Sequence, residues 1–255
     1  GAPLRSAEQL RRELATLVFT PDRLAVVKGG PAARRAYFDR SLGRLAPARA
    51  DLPLEYGAAL GQRNAALRRI AMGLSSREAL EPWTEQVAEL GRSLVEGRHE
   101  VISTLAPSFA ACAEELGLPQ ARLAYDGKPP TVESLLARLD RDVERGATGL
   151  GPHLDDVTIL SGPRDLRSFG SQGEQRLAVL SLLLAEAEVI RERTGVPPLL
   201  LLDDVLSELD PGRRRALVER ISRDGQTLIT TTTAAALPAE PTLLLEVRLG
   251  EVRAA

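Results

Sequence analysis

The sequence predicts an α/β fold with a largely parallel sheet and an inserted helical arm, and three observations carry that expectation. The run "LLLLDDV" (Leu199–Val205) is a compact β-type segment, too apolar for a strand with only one covered face. An apolar-periodic helix precedes it and a further helix and strand follow, the alternation that builds a parallel sheet. Upstream, Leu54 to about Glu115 reads almost entirely as helix, the material of an arm or helical subdomain.

In chain order, "LATLVF" (Leu14 to Phe19) is a short apolar run ending at "TPD", a buried strand meeting a turn. A proline-started helix runs from Pro31 to about Leu45. Within the helical stretch, Val87, Leu90, Leu94, Val101 and Leu105 fall on three- and four-residue steps, with Gly97 and Arg98 interrupting the stripe. Such heptads are too few and too broken to assert a coiled coil. "YDGKPPTVESL" is a turn leading into another helix, and "ERGATGLGPHLDD" is a glycine-rich connector, so the arm should end near Gly146. From Gly173 to Thr194 a helix is predicted with Leu177, Leu180, Leu184 and Ala187 on an apolar face. Gly195 suits its C′ position and Pro197 and Pro198 stop it. Asp210 and Pro211 read as N-cap and first residue of the helix "PGRRRALVERI", followed by a strand "QTLITTT" and a hairpin "TLLLEVRLGEVR". The expected organisation is 1–45 as part of a first lobe, 46–145 as the helical arm and 146–255 as the second α/β half.

Composition narrows the function classes. A chain of 255 residues, 44% hydrophobic and 27% charged, can bury a substantial core. A formal net charge of −2 gives no global attraction to nucleic acid, although a local basic face can sit inside a near-neutral total. The single cysteine, Cys112, excludes an intrachain disulfide and a cysteine metal cluster within one chain, and two histidines argue against a histidine-rich metal site. The polar amino terminus has no apolar signal core and no window reaches the length of a membrane span, so a cytoplasmic location is expected.

Two stretches carry chemistry. "FGSQGEQR" opens a long helix with a serine between glycines, and a helix start offers unpaired N–H groups and a positive dipole end to a phosphate. The same serine also suits an ordinary N-cap. "LLLLDD" delivers Asp203 to the sheet's carboxyl edge, where it can hold a hydrated magnesium while Asp204 orients or deprotonates a water. Acidic residues also end buried strands simply because a solvated turn follows.

Together, the serine–glycine turn, the acidic strand and "SELD" (Ser207 to Asp210) resemble the ABC-type ATPases of the SMC class, specifically the RecF family. "SQGEQR" looks like that family's signature motif, "LLLLDDVLSELD" like its Walker B strand and D-loop, and "GPHLDD" like an element preceding the signature. "VFTPDRLAVVKGGPAARRAYFD", "GQRNAALRR" and "WTEQVAELG" are similar to the family's first-lobe junction and helical lobe. No phosphate loop is present: Lys28 in "VVKGG" and Lys128 in "DGKPP", the only lysines, lack the glycine and Ser/Thr context. The resemblance therefore implies a partial ABC-type ATPase head beginning inside its first lobe, with roughly a hundred residues of family length upstream. The stretch alone is expected to hold ATP poorly and to expose apolar sheet surface.

Further implications follow from the resemblance. ATP and Mg2+ are the cofactors, ATP hydrolysis is the activity of the intact protein, and the partners are duplex DNA and single-strand/double-strand junctions, a second copy joined through ATP, and recombination mediator proteins of the RecF pathway. Ser171, Gln172, Gly173 and Gln175 would contact ATP held by the partner copy. Asp203 would bind magnesium, Asp204 would be the catalytic base, and Asp210 would communicate across the dimer, where a plain N-cap role also stands. Thr231 and Thr232 occupy the switch-histidine region, Thr20 to Asp22 lacks the glutamine common in relatives, and Leu154 stands where arginine is common. His153 reads as a packed or hydrogen-bonded histidine. Arg34, Arg35, Arg40, Arg44, Arg63, Arg68 and Arg69 are candidate DNA-phosphate contacts, against a solvated-face reading for each. An aromatic content of 3% argues against a base-stacking platform. A non-catalytic DNA-binding or scaffolding protein that has lost turnover is the alternative, and a lobe supplied by another chain is a third possibility.

Overall fold

The computed structural model describes residues 15–207, 209–221 and 225–254. Leu14 of the expected first strand and Glu208 of "SELD" lie outside the described residues. Along the chain come β1 (Thr16–Phe19), a helical turn at Ala25–Lys28, α1 (Pro31–Leu45), α2 (Leu52–Ala71) and α3 (Glu81–Glu115). Next are β2 (Ala121–Tyr125), α4 (Val132–Leu136), α5 (Leu139–Arg145), β3 (Val157–Ser161), β4 (Arg164–Asp165) and α6 (Leu166–Phe169). The remainder comprises α7 (Gln172–Thr194), β5 (Leu199–Leu202), α8 (Pro211–Ile221), β6 (Thr227–Ile229), β7 (Leu245–Arg248) and β8 (Glu251–Ala254).

Strands β1, β5 and β6 form a parallel sheet with β5 in the middle, Phe19 opposite Leu202 and Leu202 opposite Ile229. Because all three run the same way, their carboxyl ends meet at one edge. A second, antiparallel sheet has β3 between β2 and β4, and β7 with β8 forms the expected hairpin. Strand β2 lies inside the stretch predicted as a helical arm and pairs with β3 beyond it, Ala121 opposite Ser161 and Tyr125 opposite Val157.

Helix α7 departs from its expected amphipathic character. Every residue from Gln175 to Glu186 is buried, because β1 lies on one side and the long helix α3 on another. Two charged residues, Arg176 and Glu186, lie in this buried run, and Glu186 is matched by Arg44 Nε and Nη2 at 2.6 and 3.0 Å and by the Tyr37 hydroxyl at 3.2 Å. Gly195 ends the helix at φ +72°, in the left-handed conformation that glycine adopts without strain.

The break in the α3 stripe also has a cause. Gly97 faces Leu42 of α1, and a Cβ there would come within 3.0 Å of the leucine side chain. Buried Arg98 pairs through Nε and Nη2 with Asp39, at 2.7 and 2.9 Å, and donates from Nη1 to the Pro152 carbonyl at 2.7 Å. One hydrophobic cluster draws residues from β1, the helical stretch and the C-terminal half alike. Among the described residues no helix is long and apolar enough to cross a membrane.

Candidate functional site

At the carboxyl edge of the parallel sheet, backbone pairing fixes the first contacts. Asp203 N–H donates to the Phe19 carbonyl at 2.9 Å, and Thr230 N–H donates to Leu202 at 3.0 Å. These bonds carry the ladder one residue past each strand and place Asp203 beside Thr230. The Thr230 hydroxyl then donates to Asp203 Oδ1 at 2.6 Å and accepts from Asp204 N–H at 3.0 Å. Asp204 sits at φ +48°, an uncommon backbone region for a residue with a side chain, and its buried Oδ1 has no hydrogen-bond partner among the described residues. Ser207 donates to the Asp204 carbonyl at 3.1 Å, so the start of the turn after β5 is fastened to the acidic pair.

Asp210 occupies the start of α8. Its Oδ1 accepts from Arg213 N–H at 3.0 Å, and that bond, more than the nearby Arg213 charge, holds its carboxyl below the ordinary aspartate range. The expected capping role is therefore present. Of the residues at this edge, Thr230 was missed by sequence reasoning, which placed it within a strand and looked instead to Thr231 and Thr232. Only the parallel register shows which threonine lies beside Asp203.

The serine–glycine turn forms a second locus at the start of α7. Ser171 Oγ accepts from Glu174 N–H at 3.2 Å while Glu174 Oε2 accepts from Ser171 N–H at 2.8 Å, a reciprocal capping box. The Ser171 amide, followed by Arg164 at 2.8 Å, holds the Glu174 carboxyl below its usual range. Ser171, Gln172 and Gly173 are all exposed. A Cβ on Gly173 would meet nothing closer than Ser171 Oγ at 3.9 Å. Glycine in a helix costs roughly 1 kcal/mol relative to alanine, and among the described residues no atom requires that space. Gln175 is buried and donates to the Leu166 carbonyl at 2.8 Å, so its amide holds α6 against α7. Replacing Ser171 with alanine should lower stability by about 1 kcal/mol in chemical denaturation, through loss of the cap.

The seven arginines separate into two groups. Arg34 is buried in a two-pronged pair with Asp156, both contacts 2.7 Å, and also donates to Val27 and Gly29 carbonyls. Arg44 is committed to Glu186, and Arg63 is fully buried against Asp142 at 3.0 Å and Thr148 at 2.7 Å. Arg34 and Arg63 thus have their charge paired inside the fold, and half-buried Arg44 has its charge paired with Glu186. Arg35 is half-buried and donates to the Asp155 carbonyl at 2.8 Å. Arg40, Arg68 and Arg69 are exposed. Partial burial and then the neighbouring Arg23 and Arg44 lower the Arg40 pKa, the mark of a crowded basic surface.

"GPHLDD" is a structural junction. Its Asp155 and Asp156 receive Tyr125 and Arg34, its Pro152 receives Arg98, and Leu154 is exposed. His153 Nε2 lies 3.0 Å from the Thr148 carbonyl, which can only accept, so Nε2 carries the proton and Nδ1 accepts from the Tyr56 hydroxyl at 2.7 Å. Burial holds this imidazole below the ordinary histidine range. The unfolded chain therefore takes up a proton that the native chain resists as pH falls below about 6.5, and stability declines until the folded pKa is passed. His153→Gln should flatten that acid-side decline, measured as the difference in Tm between pH 7.5 and 5.5.

No family model matches the chain. Among curated proteins it is similar to the DNA replication and repair protein RecF of Myxococcus xanthus strain DK1622, at 37% identity over 99% of this chain and 71% of that protein. The protein of the same name from Heliobacterium modesticaldum is 37% identical over 90% of this chain and 65% of its own length. That of Anaeromyxobacter sp. strain K is 41% identical over 86% and 62%. The chain thus spans about two thirds of the length of these relatives. Among solved structures, the recombination mediator protein RecF-ATPrS in the RecFOR pathway superposes with a TM-score of 0.83 at 27% identity, covering 98% of this chain and 70% of that one. An Smc head domain from Pyrococcus furiosus, at TM-score 0.50 and 15% identity, shares the fold.

Proposed function

The chain belongs to the RecF family of DNA replication and repair proteins, and from that premise we propose that it supplies the partner-facing and acidic elements of an ATP-driven clamp on DNA. In this reading two copies close around ATP, the clamp engages duplex DNA and single-strand/double-strand junctions with other recombination mediators, and hydrolysis reopens it. The observation that carries the proposal is Gly173, an exposed helical glycine at an N-terminus whose missing side chain leaves room that none of the described residues fills. Close approach of a phosphate to first-turn amides is a physical reason for such a glycine. Ser171, Gln172 and Gly173 would meet the terminal phosphate of ATP held by the other copy.

The acidic edge fits a magnesium ion bound together with nucleotide. Magnesium commonly takes one or two carboxylates plus phosphates, and among the described residues no cluster of three acidic, histidine or cysteine side chains offers an all-protein cage. Asp203 is exposed, and the unpartnered buried Oδ1 of Asp204 is the kind of atom that an ordered water satisfies. Asp203 would hold the ion, whose chemistry is neutralisation of charge on the phosphates, and Asp204 would accept the proton of the attacking water. Asp210, at the start of α8, would face the other copy. Exposed Arg40, Arg68 and Arg69, with Arg35, would make sequence-independent phosphate contacts with DNA.

The test separates function from folding. In the full-length protein, Gly173→Ala should raise helix stability by up to about 1 kcal/mol and yet weaken ATP-dependent dimerisation in magnesium, measured by light scattering. Ser171→Arg should abolish the ATP-dependent dimer. A protein that dimerises equally well with either substitution would leave the turn as an ordinary capped helix.

A further inference from the structure

We propose that Thr230 is a positioning residue that sets the acidic pair for ATP hydrolysis, an inference that rests on the ATPase reading above. Its hydroxyl has one proton, and an ionised carboxylate can only accept, so the bond to Asp203 Oδ1 fixes the direction of the whole chain of contacts. Asp204 N–H donates to Thr230 Oγ1, and Thr230 Oγ1–H donates to Asp203. One side chain immediately after β6 therefore holds the carboxylate of one acidic residue and the backbone of the next.

Both ends of that arrangement need holding. Asp203 and Thr230 are exposed, so water competes for the Asp203 carboxylate, and a fixed neighbouring donor restricts its orientation. Asp204 occupies a left-handed conformation uncommon for a residue with a side chain, and the bond from its N–H to Thr230 helps hold it there. Thr230 is itself anchored by its backbone bond to Leu202, and its branched Cβ limits χ1, which keeps the hydroxyl in place. The contact is not a core-packing requirement, because the side chain lies at the open edge of the sheet.

The experiment uses the full-length protein with Thr230→Val, which keeps the shape and loses the hydroxyl, and Thr230→Ser, which keeps the hydroxyl. Three readings are taken: affinity for a fluorescent ATP analogue in EDTA, the gain in that affinity on magnesium titration, and steady-state hydrolysis. The valine variant should fold and bind nucleotide in EDTA as the unsubstituted protein does. It should lose about ten-fold both in the magnesium-dependent gain and in kcat with little change in KM, the scale of one hydrogen bond to a charged group. Serine should restore most of each. Valine behaviour equal to the unsubstituted protein overturns the proposal, as does a serine variant as impaired as valine, which would assign the effect to the methyl group. If the unsubstituted protein binds no nucleotide, the ATPase reading and this inference fail together; if it binds and hydrolyses normally while valine is silent, only the role of Thr230 fails.

Discussion

Asp142→Ala is expected to destabilise the protein by about 3–5 kcal/mol, because it leaves a guanidinium buried without its counter-charge. Arg63 on α2 and Asp142 on α5 are both essentially inaccessible to water and lie 3.0 Å apart. The arginine also contacts Thr148 at 2.7 Å and Thr84, at the start of α3, at 3.3 Å. The second carboxylate oxygen of Asp142 accepts Gly149 N–H at 3.0 Å, and Asn64 receives both the amide and the hydroxyl of Thr148 at 2.7 Å. One charge pair thus joins α2, α3, α5 and the connector that follows them. The network is already short of acceptors, since Arg63 Nη2 is buried without a partner among the described residues. Removing the carboxylate adds a second deficit at a place water cannot reach. Urea denaturation of Asp142→Ala and of Arg63→Met/Asp142→Leu provides the check. The single variant should show the full loss, whereas the double variant should recover much of it because no unpaired charge remains. A single-variant loss below about 1 kcal/mol would mean that water or a local rearrangement satisfies Arg63.

This pair also shows where sequence reasoning stops. The strands β1, β5 and β6, the C′ glycine of α7 and the serine that caps it were legible because their signals are local: apolar runs, turn residues and a cap within a few positions. The fate of each arginine was not local. Arg34 meets Asp156, Arg44 meets Glu186 and Arg63 meets Asp142, partners separated by 122, 142 and 79 positions, so a row of basic residues reads alike whether solvated or buried. Helix α7 was read as one-faced for the same reason, since α3, which covers its second face, is remote in the sequence. Strand β2 left little periodic signal in five residues and is defined by its pairing with β3. At the candidate site, Asp203 and Asp204 were legible from the end of an apolar strand. The contact of Thr230 with Asp203 was not, because it depends on the register between β5 and β6.

Asp204→Asn in the full-length protein should slow ATP hydrolysis by about 10²–10⁴-fold, the range ascribed to a positioned general base. The substitution is nearly isosteric, and asparagine is among the side chains that best tolerate the left-handed backbone found at φ +48°. Its N–H still reaches Thr230, and the Ser207 hydroxyl still reaches its carbonyl, since neither bond involves the side chain. Folding and nucleotide binding should therefore persist while the proton acceptor is gone. Binding that survives without turnover has a consequence for assembly: if hydrolysis reopens the clamp, the variant should accumulate as the ATP-bound dimer in magnesium where the unsubstituted protein cycles back to monomer. Single-turnover hydrolysis and light scattering on the same sample separate the possibilities. Slow chemistry with a persistent dimer assigns Asp204 to the base. Near-normal chemistry assigns proton transfer to another group and leaves Asp204 as the turn that presents Asp203. The expected size exceeds the roughly ten-fold effect of Thr230→Val because an amide cannot take up the proton at all, whereas a misaligned carboxylate still can.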